Sequence, residues 1–281
     1  ICVDQDKNVF FLVDNDGKFA AFMLNEEADK LISLKSDINA LFNSPVLGYN
    51  SKDDIVYQFW ANRDSHEVYY FDPKTDYAPT TAISSISWDD PNFPNIEGFG
   101  VWAAKCNFTM GPDGKMYSRM LGGNLVRIDV ENARGENLTN GDLVGTKDGS
   151  AYGLVFDPQD ENVFYFSNND KHCIYKYDLR TKECACWAGQ EGKSGYLDGP
   201  IGQAMFNKPG QMCVDSEGNI ILTDTENHCI RKITMSTGYV STLAGKPQNS
   251  GYVNGSAEDA QFKKPLGICI DNDDVMYIGD S

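Results

Sequence analysis

A repeated segment in the last third of the chain places the strongest constraint on its fold. Residues 244–271 repeat the pattern of residues 188–215 at a constant offset of 56 positions (265 − 209 and 271 − 215). The identical residues of the first copy are Ala188, Gly189, Gly195, Tyr196, Gly199, Ala204, Phe206, Lys208, Pro209 and Asp215. A fixed period of this size is typical of solenoids, propellers and other repeat arrays.

One repeat unit reads as four short strands separated by turns of Gly, Asp and Asn. The predicted strands cover residues 212–215, 220–223, 229–234 and 239–243. Four such segments joined by short turns predict one antiparallel sheet. Apart from a candidate helix at residues 25–36, no stretch of ten residues holds a helical period. The unit is therefore predicted to be a propeller blade.

Weaker copies of the first strand extend towards the N-terminus, beginning near residues 1, 45, 106, 153, 212 and 268. They predict a single-domain, all-β protein: a six-bladed β-propeller of four-stranded antiparallel blades. The predicted blades cover residues 1–41, 42–96, 97–147, 148–204, 205–260 and 261–281. The last blade is incomplete, with only two strands before Ser281. Because proteins normally cover open sheet edges, we expect further residues beyond it.

The best-conserved unit within the chain resembles a known repeat family. Its residues Lys208-Pro209, Val214-Asp215, Gly218-Asn219, Asn227-His228 and Leu243-Ala244-Gly245 are similar to the NHL repeat, which is named for Asn-His-Leu. Cys229, followed by Ile230, stands where the family has Leu. The Gly-Tyr-x-Asp-Gly linkers resemble those of bacterial NHL proteins, especially surface proteins of Bacteroidetes. The resemblance implies a propeller located in the cell envelope or outside the cell.

The charge of the chain constrains its partners. The formal net charge is −17 in an acidic protein of 281 residues, and no dense cluster of Lys and Arg stands out. Binding to phosphates requires cations that displace counterions, so we expect no nucleic-acid partner. No apolar run approaches the roughly 20 residues that span a bilayer, so we expect no membrane insertion.

The cysteines follow the repeat. Cys2, Cys213 and Cys269 hold the same place in three first strands, and Cys173 and Cys229 the same place in two third strands. Equivalent places in different blades lie farther apart than the ~7 Å that a disulfide tolerates between Cα atoms, so these cysteines are predicted to be small buried hydrophobes. Cys184 and Cys186 alternate along one strand. They face the same way, either as a small apolar pair or as ligands of a soft metal.

Neither the histidines nor the carboxylates form a recognisable metal site. His66, His172 and His228 each precede a third strand, which predicts hydrogen bonding in turns. Related propeller lyases carry metal-binding histidines where this chain has Gly210 and Leu266. Asp4, Asp6 and Asn8 alternate as in a calcium loop, but Val9 stands where that loop needs Gly. We therefore predict no catalytic residue, no metal ligand and no cofactor.

The least repeat-like segment, residues 84–105, is the predicted binding site. Its aromatic and acidic residues are Trp88, Asp89, Asp90, Phe93, Phe99 and Trp102. Linkers between blades cross the face beside the central channel, where loops are free to vary. Such residues could stack on a sugar and bind its hydroxyls or grip a peptide, or simply pack the loop onto its blade.

The sequence as a whole predicts a non-catalytic recognition module that binds a glycan or a protein at the channel face. Two alternatives remain. One is a metal-dependent propeller hydrolase or lyase with a metal in the axial channel, and the other is a structural spacer beside another domain.

Overall fold

The computed structural model describes residues 1–15, 18–27, 30–39, 46–50, 52–61, 66–83, 87–88, 108–119, 124–139 and 153–280. The chain divides into two compact units, residues 1–141 and 142–281. No described helix is long and apolar enough to cross a membrane.

The first unit contains three sheets, and in each the strands pair mainly in sequence order. The first sheet comprises β1 (Cys2–Val3), β2 (Val9–Asn15), β3 (Lys18–Leu24) and β4 (Leu31–Asn39). The second comprises β5 (Val46–Asn50), β6 (Ile55–Ala61), β7 (His66–Phe71) and β8 (Thr80–Ile83), with a 3-10 helix at Pro73–Thr75. The third comprises β9 (Ser87–Trp88), β10 (Thr109–Met110), β11 (Met116–Arg119), β12 (Leu125–Asp129) and β13 (Arg134–Asn137).

The second unit contains the repeated segment. Its first sheet comprises β14 (Leu154–Asp157), β15 (Asp160–Asn168), β16 (Cys173–Asp178) and β17 (Cys184–Gly189). The next comprises β18 (Gly199–Pro200), β19 (Pro209–Val214), β20 (Ile220–Asp224), β21 (Cys229–Thr234) and β22 (Tyr239–Ala244), with a 3-10 helix at Thr225–Asn227. The last sheet comprises β23 (Gly267–Ile270) and β24 (Met276–Gly279).

The sheets are propeller blades: four consecutive strands pair antiparallel, as the sequence predicts. The predicted number of six is wrong for the described residues, which form five blades of four or more strands. In the described residues β23 and β24 form a two-stranded sheet, as predicted for the incomplete last blade, so they do not complete a sixth blade. The candidate helix at residues 25–36 is also wrong. Leu31–Asn39 is a strand paired with β3, because hydrogen bonding along a sheet overrides a weak local helical pattern.

Packing between neighbouring sheets buries the apolar side chains of the repeat. In the second unit, Tyr165, Ile174, Phe206, Ile220 and Ile233 belong to one buried cluster that joins the two complete blades. In the first unit, Phe10, Ala21, Leu47, Val56 and Phe71 form the corresponding cluster of the first two sheets. Burying such side chains contributes about 1.5–3 kcal/mol for each large residue.

Candidate functional site

Of the predicted binding segment, residues 84–105, the structure describes only Ser87 and Trp88. Trp88 lies in β9, whose backbone pairs in parallel with Arg134 and Gly135 of β13. β9 is therefore at one edge of its sheet, and the chain returns as β10 at the opposite edge. The other predicted site residues, Asp89, Asp90, Phe93, Phe99 and Trp102, lie outside the described residues. Their role stays a prediction.

A fully described linker in the second unit shows how such a segment can be held. β18 pairs with β22 at one edge of its sheet, and the chain returns as β19 at the opposite edge. Leu197, just before β18, and Met205, after it, form an isolated antiparallel bridge. Ile201 N donates to Gly238 O at 2.9 Å, which ties the linker to the turn before β22. The linker is thus a fixed structure on its blade.

The Arg231 side chain holds this linker on its blade through two hydrogen bonds. Its Nη1 donates to Met205 O at 3.1 Å, and its Nη2 donates to Leu197 O at 3.0 Å. The guanidinium also lies over two linker rings, 4.9 Å from the centroid of Tyr196 and 5.2 Å from that of Phe206. Arg231 is fully buried, so these contacts exclude water.

Two carboxylates balance the buried arginine. Asp224 accepts from Arg231 Nη1 at 2.7 Å, and Asp198 accepts from Arg231 Nη2 at 2.6 Å. Asp224 also accepts from Asn227 Nδ2 at 2.9 Å and from the backbone N of Asn207 at 2.7 Å. Burial raises the pKa of Asp224 to about 6, although the Arg231 charge opposes that shift. Because both its oxygens are engaged inside the blade, Asp224 serves the fold and is closed to a ligand.

Two histidines confirm the predicted hydrogen-bonding role, but their partner is distant in the sequence. His172 Nδ1 accepts from the backbone N of Lys208 at 3.1 Å. His228 Nδ1 accepts from the backbone N of Lys264, also at 3.1 Å. Each imidazole thus connects the turn before a third strand to the start of the next inner strand. His66 begins β7, and its side chain is not among those described.

The pH dependence of stability tests the His172 contact. Burial, followed by the charge of Lys208, lowers the pKa of His172 below 6.5. The unfolded chain therefore takes up this proton first, so the contribution is complete above pH 6.5 and is lost as the pH falls below it. We expect the stability advantage of the unmodified protein over His172→Asn to decrease between pH 7 and pH 5, because groups common to both proteins cancel in this difference. Urea titrations of both proteins measure it, and a difference that does not change with pH would contradict this role.

Asp4 and Asn8, which alternate in the sequence as in a calcium-binding loop, hydrogen-bond to other residues of the protein. Asp4 Oδ1 accepts from Asn8 N at 2.8 Å. Its Oδ2 accepts from Asn8 Nδ2 at 2.9 Å and from the Tyr77 hydroxyl at 3.0 Å. Burial raises the pKa of Asp4, which disfavours the charged form that a cation needs. In the described part of the chain, no group of three or more His, Cys, Asp or Glu is placed to hold a metal ion.

The sequence did not predict that tyrosine hydroxyls donate hydrogen bonds to the aspartates of the turns. The hydroxyls of Tyr57, Tyr117, Tyr165 and Tyr277 donate to Asp53, Asp113, Asp157 and Asp271, respectively, at 2.7–3.2 Å. In each pair the tyrosine lies on the strand that follows the turn. Asp-x-x-x-Tyr spacing is a signal that could have revealed two of the four pairs. These pairs assign the recurring turn carboxylates to the architecture of the blades.

The cysteines are buried largely as predicted. Cys2, Cys173, Cys229 and Cys269 are buried, whereas Cys184, Cys186 and Cys213 are partly exposed. All seven are free thiols in the described residues. Cys184 and Cys186 lie opposite Tyr177 and Tyr175 of β16, so they share one face of the sheet as expected.

Comparison with known sequences identifies the repeat. The NHL repeat family matches residues 206–233, which include the 3-10 helix at Thr225–Asn227, all of β21 except its last residue, and the Asp224–Arg231 pair. SUPPRESSOR OF QUENCHING 1, a chloroplastic protein of Arabidopsis thaliana, is 25% identical over 263 residues. The match covers 86% of this chain and 24% of that protein, so the chain spans about a quarter of this curated relative.

Comparison with solved structures supports the same fold over nearly the whole chain. A structural genomics protein of unknown function from Bacteroides thetaiotaomicron has a TM-score of 0.75 at 18% identity, covering 99% of this chain and 70% of that one. An auxiliary nutrient binding protein from the same species has a TM-score of 0.69 at 20% identity, covering 96% of this chain and 66% of that one. At these identities the likeness shows a shared fold.

Proposed function

We propose that this NHL-repeat β-propeller is a non-catalytic recognition protein of a bacterial cell envelope, which binds a glycan or a protein at its channel face. The observation that carries the proposal is the position of Trp88 at the start of a linker that is anchored to a blade as a fifth strand. A rigid blade holding a variable, aromatic loop is a common arrangement for ligand binding.

Four further facts support the recognition role. The linker after Trp88 combines aromatic rings with carboxylates, which suit the faces and hydroxyls of a sugar. The net charge of −17 disfavours polyanionic partners and leaves neutral or basic ligands. A structural relative from Bacteroides thetaiotaomicron is described as an auxiliary nutrient binding protein. In the described residues, Asp4, Asp224, His172 and His228 are engaged within blades and linkers, which favours recognition over a metal-dependent reaction.

Binding measurements with tryptophan variants test this function. A glycan array and a peptide array would first identify a ligand for the unmodified protein. We expect Trp88→Ala and Trp102→Ala each to weaken its binding at least about tenfold, because a buried aromatic anchor contributes about 2 kcal/mol. Affinity is measured by isothermal titration calorimetry.

Tyr239→Ala is the matched control, because Tyr239 is 46% exposed at the start of β22 in the other unit. Its affinity should equal that of the unmodified protein. The proposal fails if neither array yields a ligand, if both tryptophan variants bind normally, or if the purified protein holds one equivalent of a divalent metal and turns over a substrate.

A further inference from the structure

Two cysteines lie close to each other on neighbouring strands of the β14–β17 sheet. Cys173 begins β16 opposite Gly189, and Cys186 lies on β17 opposite Tyr175. A register shift between Ile174 and Tyr175 places an extra residue on β17 between these two pairs. Because side chains alternate along a strand, Cys173, Tyr175 and Cys186 lie on the same face of the sheet.

The contacts of the two sulfur atoms show how close this approach is. Cys186 Sγ donates to Gly189 O at 3.8 Å, and Gly189 is the residue paired with Cys173. The Cys173 and Cys186 thiols also shift each other's pKa, as expected for neighbouring side chains. A Cβ built on Gly189 would lie 3.2 Å from Cys173 Cα, so the two strands are tightly packed here.

The internal repeat shows that the next blade lacks this pair. Moving 56 positions along the chain takes Cys173 to Cys229 but takes Cys186 to Thr242. The Thr242 hydroxyl lies 2.8 Å from that of Tyr196, so the second blade uses this place for a linker contact. The first cysteine is thus part of the repeat, whereas the second is an addition to it.

The two thiols differ in access and acidity. Cys173 is fully buried, and Cys186 is partly exposed. A hydrogen bond from Cys173 lowers the pKa of Cys186, whereas hydrogen bonding to Cys186 and burial raise the pKa of Cys173. Cys186 therefore provides the accessible thiolate, and Cys173 is the thiol positioned behind it.

We propose that Cys173 and Cys186 are a reversible dithiol–disulfide pair, oxidised by a small-molecule disulfide such as glutathione disulfide. The Cys186 thiolate attacks one sulfur of the oxidant, which forms a mixed disulfide and releases one glutathione thiolate. Cys173 then loses its proton and attacks Cys186 Sγ, which closes the bond between the strands and releases the second glutathione. The protein loses two electrons and two protons, and the oxidant becomes two molecules of glutathione.

Disulfide mapping of the full chain tests this pair. Trypsin cleavage after Lys171, Lys176, Lys182 and Lys193 places Cys173 on peptide 172–176 and Cys186 on peptide 183–193. After incubation with glutathione disulfide, we expect these two peptides to be joined and to separate on reduction. Titration of the denatured protein should show a loss of two of the eight thiols.

Two single variants make the assignment specific. Cys186→Thr copies the residue of the next blade, so it should fold and lose the joined peptides. Cys184→Thr changes a cysteine on the same tryptic peptide and should leave the joined peptides intact. In the folded reduced protein, iodoacetamide should modify Cys186 at least about tenfold faster than Cys173. Joined peptides that persist in Cys186→Thr, a bond to Cys184, or eight thiols after oxidation would overturn the proposal.

Discussion

Replacing Arg231 with Met is expected to lower the free energy of unfolding by about 3–5 kcal/mol, because it leaves the Asp224 carboxylate buried without its counter-charge. Both side chains have no exposed surface. The substitution also removes the donors to Met205 O and Leu197 O, which hold the linker on the blade. Chemical denaturation monitored by circular dichroism measures the loss.

The sign of the pH dependence separates this effect from simple loss of packing. In the intact protein the Arg231 charge opposes the burial that raises the pKa of Asp224 to about 6. Without that charge the pKa should rise further. Protonation then neutralises the buried group, and the folded state takes up this proton before the unfolded state does. The destabilisation of Arg231→Met relative to the unmodified protein should therefore be smaller at pH 5 than at pH 8.

The preceding blade supplies a matched control. Moving 56 positions back from Asp224 and Arg231 leads to Asn168 and Tyr175, which are uncharged residues at the same places of the repeat. The double variant Asp224→Asn/Arg231→Tyr should recover more than half of the stability that Arg231→Met loses. A loss below about 1 kcal/mol in the single variant, typical of an exposed pair, would show that the pair is not desolvated.

Gly153→Ala is expected to destabilise the second unit by up to about 3 kcal/mol. An added Cβ would lie 2.5 Å from the backbone N of Met212 and 3.0 Å from the carbonyl carbon of Gln211. These atoms belong to β19, the inner strand of the next blade. Because a backbone atom cannot move aside as a side chain can, the two inner strands would have to separate. Thermal and urea unfolding should both report the change.

Two other glycines are controls for this effect. At Gly195 an added Cβ meets the flexible end of a side chain, 2.6 Å from Met205 Cε, so Gly195→Ala should cost less than half as much. At Gly202 nothing lies within 4 Å, so Gly202→Ala should change stability by less than about 0.5 kcal/mol. Equal losses in all three variants would indicate a backbone effect common to glycine and not a clash with β19.

The strands of the repeated segment were predictable because local pattern and packing agree there. The prediction for residues 229–234 matches β21 at both ends, and the prediction for residues 220–223 falls one residue short of β20. The pattern at residues 25–36 suggested a helix, whereas pairing with β3 makes Leu31–Asn39 a strand. The blade count differed because the last predicted blade was counted from its first two strands, and β23 and β24 alone do not make a complete sheet.

Side-chain contacts were harder to predict than strands. The histidine positions correctly indicated hydrogen bonding. The backbone donors, however, lie 36 residues further along the chain, and they reach His172 and His228 only because the intervening chain folds back. A register shift places Cys186 on the same face of the sheet as Cys173, and sequence spacing does not encode that shift. Trp88 was identified as part of a linker, and its pairing with Gly135 depends on the sheet edge that β13 presents.

The histidine contacts also bear on how such a chain can grow. Each one joins a turn in one repeat to the start of the next, and the same contact recurs 56 positions later. If a whole 56-residue unit were duplicated or deleted, each histidine would still have a backbone donor 36 residues further along the chain. An insertion or deletion of another length between them would change that spacing. During evolution, the number of repeats can therefore change in whole units, and the linker residues that recur at the same offset, such as Tyr196 and Phe206, would be carried along with each unit.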